Sequence, residues 1–196
     1  ALSASPAAAE RPPNIVIIYP DDQRWDTLSA VQQEQGEAAR FPWLKTPALD
    51  RLAAAGLRFR NAFVVNSLCS PGRACVLTGR YSHANGIINN HSPLPADLPT
   101  FAAALRKAGY RTAYFGKWHM GNQQERPGFD EFASFIGQGR YFNCPLNING
   151  TITPTEGWVD DVTTNRAIEF LDRQSPDQPF LLFLGFKSPH GPRGGE

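Results

Sequence analysis

The chain has 196 residues, of which 41% are hydrophobic and 19% are charged, and its 19 Lys and Arg residues nearly balance 18 Asp and Glu residues. This length and composition are those of a globular domain with a sizeable core. The formal charge of +1, without a basic stripe, argues against a nucleic-acid-binding surface. No apolar run approaches the about 20 residues that a membrane-spanning helix needs, so we expect no transmembrane segment.

Small residues and prolines dominate residues 1–13, and the chain lacks an initiator Met. We expect a flexible tail of the kind that signal-peptide removal leaves, although any other cut would look the same. This tail predicts an exported protein, whether periplasmic, secreted or lysosomal. The three cysteines form an odd set, and a disulfide between Cys75 and Cys144 stays open at this stage.

A β-branched apolar run at residues 14–19 predicts a first strand, buried on both faces. Residues 23–45 predict a long connection with one helical piece, and residues 122–157 predict a surface insertion with a hairpin. The other predicted elements are a helix at 46–56, a strand at 57–65, a helix at 70–79, a helix at 100–108, a strand at 110–115, a helix at 158–174 and a strand at 179–186. Alternating strands and helices predict an α/β domain with a largely parallel sheet.

The helix that follows the second predicted strand has Ser70 as N-cap, Pro71 at its first position and Gly79 near its end. Cys69 would therefore lie at the helix mouth, where free N–H groups favour an anion, and Arg73 adds a positive fork. This arrangement suits a thiolate nucleophile beside an anion site. The alternative is a buried cysteine beside a helix cap.

Other polar residues also follow predicted strands directly. They are Asp21 and Asp22 after the first strand, Lys117 and His119 after the third, and His190 after the last. Because the carboxyl ends of parallel strands meet at one edge of a sheet, we expect these residues to converge near the helix mouth.

The types of these residues predict their chemistry. Asp21 and Asp22 suit a hard divalent cation, unless they belong to a solvated turn. Lys117 and His119 would point to the same side of an extended segment and suit holding a tetrahedral anion and moving protons, unless both are ordinary loop residues. His190 suits a general acid or a structural loop position. Together the groups suit metal-assisted transfer of a phosphoryl or sulfuryl group.

Residues 69–73 (Cys-Ser-Pro-Gly-Arg), extended by residues 77–80 (Leu-Thr-Gly-Arg), resemble the signature of the type I sulfatases of the alkaline phosphatase-like superfamily. The Asp-Asp pair, residues 116–119 (Gly-Lys-Trp-His) and residues 187–192 (Lys-Ser-Pro-His-Gly-Pro) match further family segments in the same order. The resemblance implies a largely parallel, mixed sheet flanked by helices. Residues 14–196 would be the N-terminal part of the catalytic domain.

The resemblance also implies a cofactor set. Cys69 would be converted to Cα-formylglycine by a formylglycine-generating enzyme, and the hydrate would attack the sulfur of a sulfate ester. Asp21, Asp22 and the modified residue 69 would bind Ca²⁺, with Mg²⁺ as the alternative.

The matching residues take roles from the same resemblance. Lys117 would bind the sulfuryl oxygens and stabilise their charge. His190 would bind and protonate the leaving oxygen, and His119 would be the base for sulfate release. Arg73 would orient the hydrate and offset the sulfate charge.

Two features depart from the family pattern. Gly72 stands where the family usually has Ser, and the chain ends before the later Asp-Asn or Asp-His metal pair and the later Lys that these enzymes use. We therefore expect the site to need the remainder of the catalytic domain.

Three alternatives stay open. The first is a phosphate or phosphonate ester hydrolase of the same superfamily, and the second is an anion-binding protein with unmodified Cys69. The third is a thiol hydrolase or redox protein. A carbohydrate sulfate is the favoured substrate, because residues 21–24 (Asp-Asp-Gln-Arg) resemble the opening of many carbohydrate-directed sulfatases. This resemblance implies that Arg24 would reach a sugar carboxylate or a second sulfate. Residues 89–91 are further candidates for the pocket wall.

Overall fold

The computed structural model describes residues 11–192, and within them six strands form one sheet in the order β1-β6-β2-β3-β4-β5. The strands are β1 (Ile15–Tyr19), β2 (Arg111–Lys117), β3 (Glu131–Phe135), β4 (Leu146–Ile148), β5 (Thr151–Thr153) and β6 (Phe180–Gly185). Strands β1, β6, β2 and β3 run parallel, whereas β4 and β5 join antiparallel. This architecture confirms the predicted α/β class with a largely parallel, mixed sheet.

Six α-helices lie in the described part of the chain. They are α1 (Ser29–Gln35), α2 (Pro47–Ala55), α3 (Cys69–Thr78), α4 (Ser82–Asn85), α5 (Phe101–Lys107) and α6 (Val159–Asp172). Local sequence explains several boundaries: α2 has Pro47 in its first turn, and the Thr100 side chain caps α5 by accepting a hydrogen bond from the Ala103 N–H. Among residues 11–192, no helix is both long enough and apolar enough to cross a membrane.

Cores on both sides of the sheet hold it against the helices. Strand β6 contributes to both, because Leu181 and Phe183 face one core while Leu182 and Leu184 face the other. The first core includes α3 and α5 residues, and the second includes Phe170 of α6. A central parallel strand covered on both faces explains why its sequence is continuously apolar.

The parallel register brings three strand ends to one edge of the sheet. Tyr19 of β1 pairs with Gly185 of β6, and Gly185 pairs with Gly116 of β2. A Cβ at Gly116 would collide with the Gly185 carbonyl, and Gly116 also has a positive φ of 94°. Glycine is therefore required where these strand ends approach each other.

The predicted strand at residues 57–65 is wrong. These residues form turns and irregular chain between α2 and α3, and Leu57, Phe59 and Phe63 are all at least 80% exposed. An apolar segment forms a strand only if it can pair with another strand. In the order β1-β6-β2 these strands pair directly with one another, so residues 57–65 have no position between them. Arg60 instead pairs with Glu34 of α1 at 3.2 Å.

Two predictions about neighbouring strands are also corrected. Strand β1 lies at the sheet edge and only alternate residues are covered, so Val16 and Ile18 are 50% and 53% exposed. Residues 122–157 contain the predicted hairpin, turned by Asn149 and Gly150 with positive φ at both positions. However, β3 within this region is a paired strand with a partly buried face, so the region is not only a surface insertion.

Residues 1–10 of the predicted tail and residues 193–196 lie outside the described residues. Arg11, near the end of that tail, donates a hydrogen bond to the Pro176 carbonyl at 3.0 Å.

Candidate active site

Cys69 is the first residue of α3, at the edge where β1, β2 and β6 end. Its Sγ lies 3.7 Å from Nζ of Lys117, the last residue of β2, and Lys117 donates a short hydrogen bond to the Asp21 carboxylate beyond β1. Ligand atoms of Asp21, Cys69 and His190 all lie within 4.8 Å of one another. Residues separated by up to 169 positions thus meet because parallel strands end together.

The start of α3 differs from the predicted cap. Leu68 precedes the helix, so Ser70 is inside its first turn rather than at the N-cap, and its hydroxyl donates to the His119 carbonyl. The Ser70 N–H is satisfied by Oδ1 of Asn90 at 3.0 Å. The predicted end is confirmed: Gly79 has φ 63°, and its N–H donates to the Cys75 carbonyl.

Gly72 fits its surroundings for a steric reason. A Cβ at this position would lie 2.7 Å from the Asn66 carbonyl oxygen, closer than carbon and oxygen can approach. The loop before α3 therefore packs against the helix only with glycine here, which explains the departure from the usual Ser.

Arg73 is 2% exposed and ties strand ends together. Its guanidinium donates to the carbonyls of Lys117 at 2.7 Å and Phe186 at 3.4 Å, and it lies 3.4 Å from the Asp21 carboxylate. The Arg73 guanidinium thus holds α3 against the ends of β1, β2 and β6. Its predicted part in orienting a nucleophile stays a prediction.

Charge and burial compete at the Asp21–Lys117 pair. Burial opposes ionisation of Asp21, but the positive charges of Arg73 and Lys117 outweigh it and hold the Asp21 pKa below its ordinary value. The pair therefore stabilises the folded protein at pH values above the pKa of Asp in the unfolded chain. This stability is lost as the pH falls through the lowered pKa of Asp21 in the folded protein. Burial lowers the Lys117 pKa, and Asp21 offsets this only in part.

The prediction that Lys117 and His119 lie in one extended segment is wrong. Strand β2 ends at Lys117, and His119 has φ 56°, so the two side chains do not share one side of a strand. His119 is buried and lines a separate cavity with Asn90, His91 and Gln138. Gln138 connects that cavity to the site, since its Oε1 accepts a short hydrogen bond from Lys117 Nζ.

Asp22 and Arg24 line the cavity that contains Cys69, which has a volume of about 410 Å³. The Asp22 carboxylate lies 3.7 Å from Nε2 of His190, outside the group formed by Asp21, Cys69 and His190. Arg24 is held by Asp26 through two hydrogen bonds of 2.8 and 2.7 Å. The predicted ligand role of Asp22 and the substrate contact of Arg24 both stay predictions.

The open question about a disulfide is answered for the described residues: Cys75 and Cys144 are not bonded to each other. Cys75 belongs to α3, which packs on one face of the sheet, whereas Cys144 belongs to the core on the opposite face. The intervening sheet keeps the two thiols apart.

The loop that carries His190 is held by a residue that the sequence analysis missed. Asp160, buried in the first turn of α6, accepts hydrogen bonds from the N–H groups of Lys187 and Ser188 at 2.8 and 2.9 Å. The Tyr141 hydroxyl donates to the His190 carbonyl from the same side. Acidic residues in a first turn ordinarily complement their own helix, so the sequence contained no sign that Asp160 caps another loop.

Replacing Asp160 by Asn is expected to destabilise the protein by about 2 kcal/mol, because the new NH₂ group faces a buried N–H donor. Urea denaturation of Asp160→Asn measures the loss, and amide exchange at Lys187 and Ser188 should accelerate. Asp161→Asn is the matched control, since this neighbour is exposed. Equal unfolding midpoints for the two variants would contradict the assigned role.

The residues at this edge fit a divalent cation only in part as they stand. The Asp21 carboxylate supplies the oxygen that Ca²⁺ and Mg²⁺ prefer, but a thiol at position 69 does not. An oxygen-bearing side chain at residue 69 would make the donor set suitable. The chemistry of the donors thus agrees with a modified residue 69.

The mixed six-stranded sheet flanked by helices has the alkaline phosphatase-like fold, which similar solved structures share. The chain belongs to the sulfatase family, whose family model, described as Sulfatase, matches residues 13–194.

Curated relatives agree with this family. An N-acetylglucosamine-6-O-sulfatase of Bacteroides thetaiotaomicron is 36% identical across 97% of this chain, which covers 33% of that protein. An N-acetylgalactosamine-6-sulfatase of Homo sapiens is 30% identical across 95% of this chain, which covers 41% of that protein. The chain therefore spans between a third and about two-fifths of the length of these relatives.

Solved structures share the fold. One, of a protein in complex with its substrate D-glucosamine-2-N,6-O-disulfate, has a TM-score of 0.83 at 36% identity, covering 92% of this chain and 35% of the other. A second, in complex with k-i-k-neocarrahexaose, has a TM-score of 0.82 at 28% identity, covering 93% of this chain and 46% of the other.

Proposed function

We propose that the protein containing this chain is a sulfuric ester hydrolase that removes sulfate from a carbohydrate. The observation that carries the proposal is the contact of Cys69, at the mouth of α3, with buried Lys117 and, through it, with Asp21. This arrangement places a reactive position beside a fixed positive charge and a hard-cation ligand. The relatives described above, named as sulfatases of amino sugars, support a 6-O-sulfated amino sugar as substrate.

The proposal includes two groups at this site. Residue 69 would be Cα-formylglycine made from Cys69, and a Ca²⁺ ion, with Mg²⁺ as the alternative, would be held by Asp21, Asp22 and residue 69. When present, the hydrated aldehyde supplies the nucleophilic hydroxyl and the cation withdraws charge from the sulfuryl oxygens.

The chain's own residues then bind the substrate and move its protons. Lys117 would bind a sulfuryl oxygen through Nζ, which burial keeps in a weakly solvated environment where charge acts strongly. His190 donates Nδ1–H to the Gly191 carbonyl at 2.7 Å, so its cationic form, with a second proton on Nε2, would protonate the leaving oxygen from Nε2. His119 would accept the proton during sulfate release, and Arg73 would orient the hydrate and offset the sulfate charge.

This function requires partners and an exported location. A formylglycine-generating enzyme would mature Cys69, and the remainder of the catalytic domain would complete the metal site. The half-exposed residues of edge strand β1 and the exposed apolar residues between α2 and α3 offer a surface for that remainder. The protein would be exported to the periplasm, a lysosome or the exterior.

Side-by-side kinetics on the full-length protein test the function. We expect 4-nitrophenyl sulfate to be hydrolysed at least about 100-fold faster than 4-nitrophenyl phosphate, because the site must discriminate between similar tetrahedral groups. N-acetylglucosamine 6-sulfate should be a better substrate than 4-nitrophenyl sulfate, and a chelator should abolish turnover. Faster phosphate hydrolysis would favour the phosphatase alternative. Activity lost to thiol alkylation but unaffected by chelators would favour a thiol enzyme.

A further inference from the structure

A second cavity of about 310 Å³ is lined by residues that hydrogen-bond to the neighbours of Cys69. Three loops form its wall, following α4, β2 and β3. The lining residues are Asn90, His91, His119, Gly121, Asn122, Gly137 and Gln138. The mechanism above uses only His119 among them.

The two cavities differ in chemistry. The cavity of Cys69 is lined by Asp21, Asp22 and Arg24, which are charged and suit a cation and an anionic group. Among residues 11–192, the wall of the second cavity has no carboxylate, Lys or Arg, and the side chains in it are amides and imidazoles. Amide and imidazole groups both donate and accept hydrogen bonds, which matches the hydroxyl and amide groups of a neutral sugar.

Direct contacts join the second cavity to the reacting position. Gln138 accepts from Lys117, whose Nζ lies 3.7 Å from Cys69 Sγ. Asn90 accepts from the Ser70 N–H at 3.0 Å, one residue beyond Cys69. The wall of the second cavity is therefore in direct contact, through Gln138 and Asn90, with residues that surround Cys69.

We propose that this cavity binds the neutral ring of the substrate, and that His91 and Asn122 at its rim determine selectivity for a saccharide over an aryl sulfate. The inference rests on the proposed function, because it assigns the sugar of the same ester. Both rim residues are exposed and belong to loops rather than to the Cys69 cluster. Their removal should therefore leave the reacting groups in place.

The test compares two substrates on the full-length protein carrying His91→Ala, Asn122→Ala or both. We expect kcat/KM for N-acetylglucosamine 6-sulfate to fall about 10-fold for each change, mainly through KM, because each removes a hydrogen bond to the sugar. For 4-nitrophenyl sulfate, kcat/KM of these variants should stay within about twofold of the wild-type value. His83→Ala and Asn165→Ala are matched controls, because both residues are exposed and lie outside the cavity.

Unchanged saccharide kinetics in the double variant would overturn the inference, and so would equal losses on both substrates. A saccharide loss caused by Arg24→Ala alone would place the ring in the Cys69 cavity instead. Binding of unsulfated N-acetylglucosamine, followed by ligand-observed NMR, provides a readout without turnover. If the wild type binds this sugar and the double variant does not, the cavity assignment stands even where sulfate hydrolysis fails.

Discussion

Replacing Cys69 by Ala is expected to lower sulfate-ester turnover on the order of 10⁴-fold or more, because removal of a nucleophile eliminates the covalent route. The fold should persist, since Cys69 is only partly buried and its Sγ is 3.7 Å from Lys117 Nζ, a long contact that contributes little to stability. Steady-state kinetics on the full-length protein, together with an unfolding curve, measure both parts of the expectation.

Cys75→Ala is the control for this substitution. Cys75 lies on the same helix and is also partly buried, but its Sγ faces Ser82 and Asn85 rather than Lys117. Mass spectrometry of the peptide around residue 69 from the native host should detect the aldehyde in place of the thiol. An unmodified thiol together with full turnover, or residual turnover in Cys69→Ala close to wild type, would contradict the proposed nucleophile.

Replacing Lys117 by Met is expected to have the second-largest effect. The change should destabilise the protein by about 3 kcal/mol, because it leaves the buried Asp21 carboxylate without its closest positive partner. Sulfate-ester kcat should fall about 10²- to 10³-fold through the loss of a charge that stabilises the transition state. Urea denaturation and steady-state kinetics measure the two effects separately.

Lys107→Met is the matched control, since Lys107 is exposed in the last turn of α5. The double variant Asp21→Asn, Lys117→Met should lose much less unfolding free energy than the sum of the losses in the two single variants, because residues in direct contact are coupled. Additive losses, or a Lys117→Met variant as stable as the control, would show that the buried pair does not hold the strand ends together.

Local sequence was sufficient for the elements whose boundaries depend on residues close in the chain. Gly79 ends α3 as predicted because only a residue tolerant of positive φ can occupy that position without strain. The Asn149-Gly150 turn forms the predicted hairpin for the same reason. The approach of Asp21, Lys117 and Cys69 was also predictable, since parallel strands place their carboxyl ends at one edge.

Contacts between distant residues were not predictable in the same way. Residues 57–65 have the apolar character of a strand, yet strand pairing depends on which edge is vacant, and the sheet order leaves them in the surface connection. The sequence predicted Ser70 as the N-cap of α3, but Leu68 occupies that position in the structure. The Ser70 hydroxyl instead donates a hydrogen bond to the His119 carbonyl, 49 residues away.

By itself the sequence determined the α/β class, the sulfatase resemblance and the residues that meet at the carboxyl edge, because these depend on local periodicity and on residue type. The tertiary structure alone decided that Arg73 ties three strand ends, that Asp160 supports the His190 loop and that Gln138 joins Lys117 to a neutral cavity. These contacts join residues that are 21 to 113 positions apart in the chain. Packing of whole elements chooses such partners, and no local pattern encodes that choice.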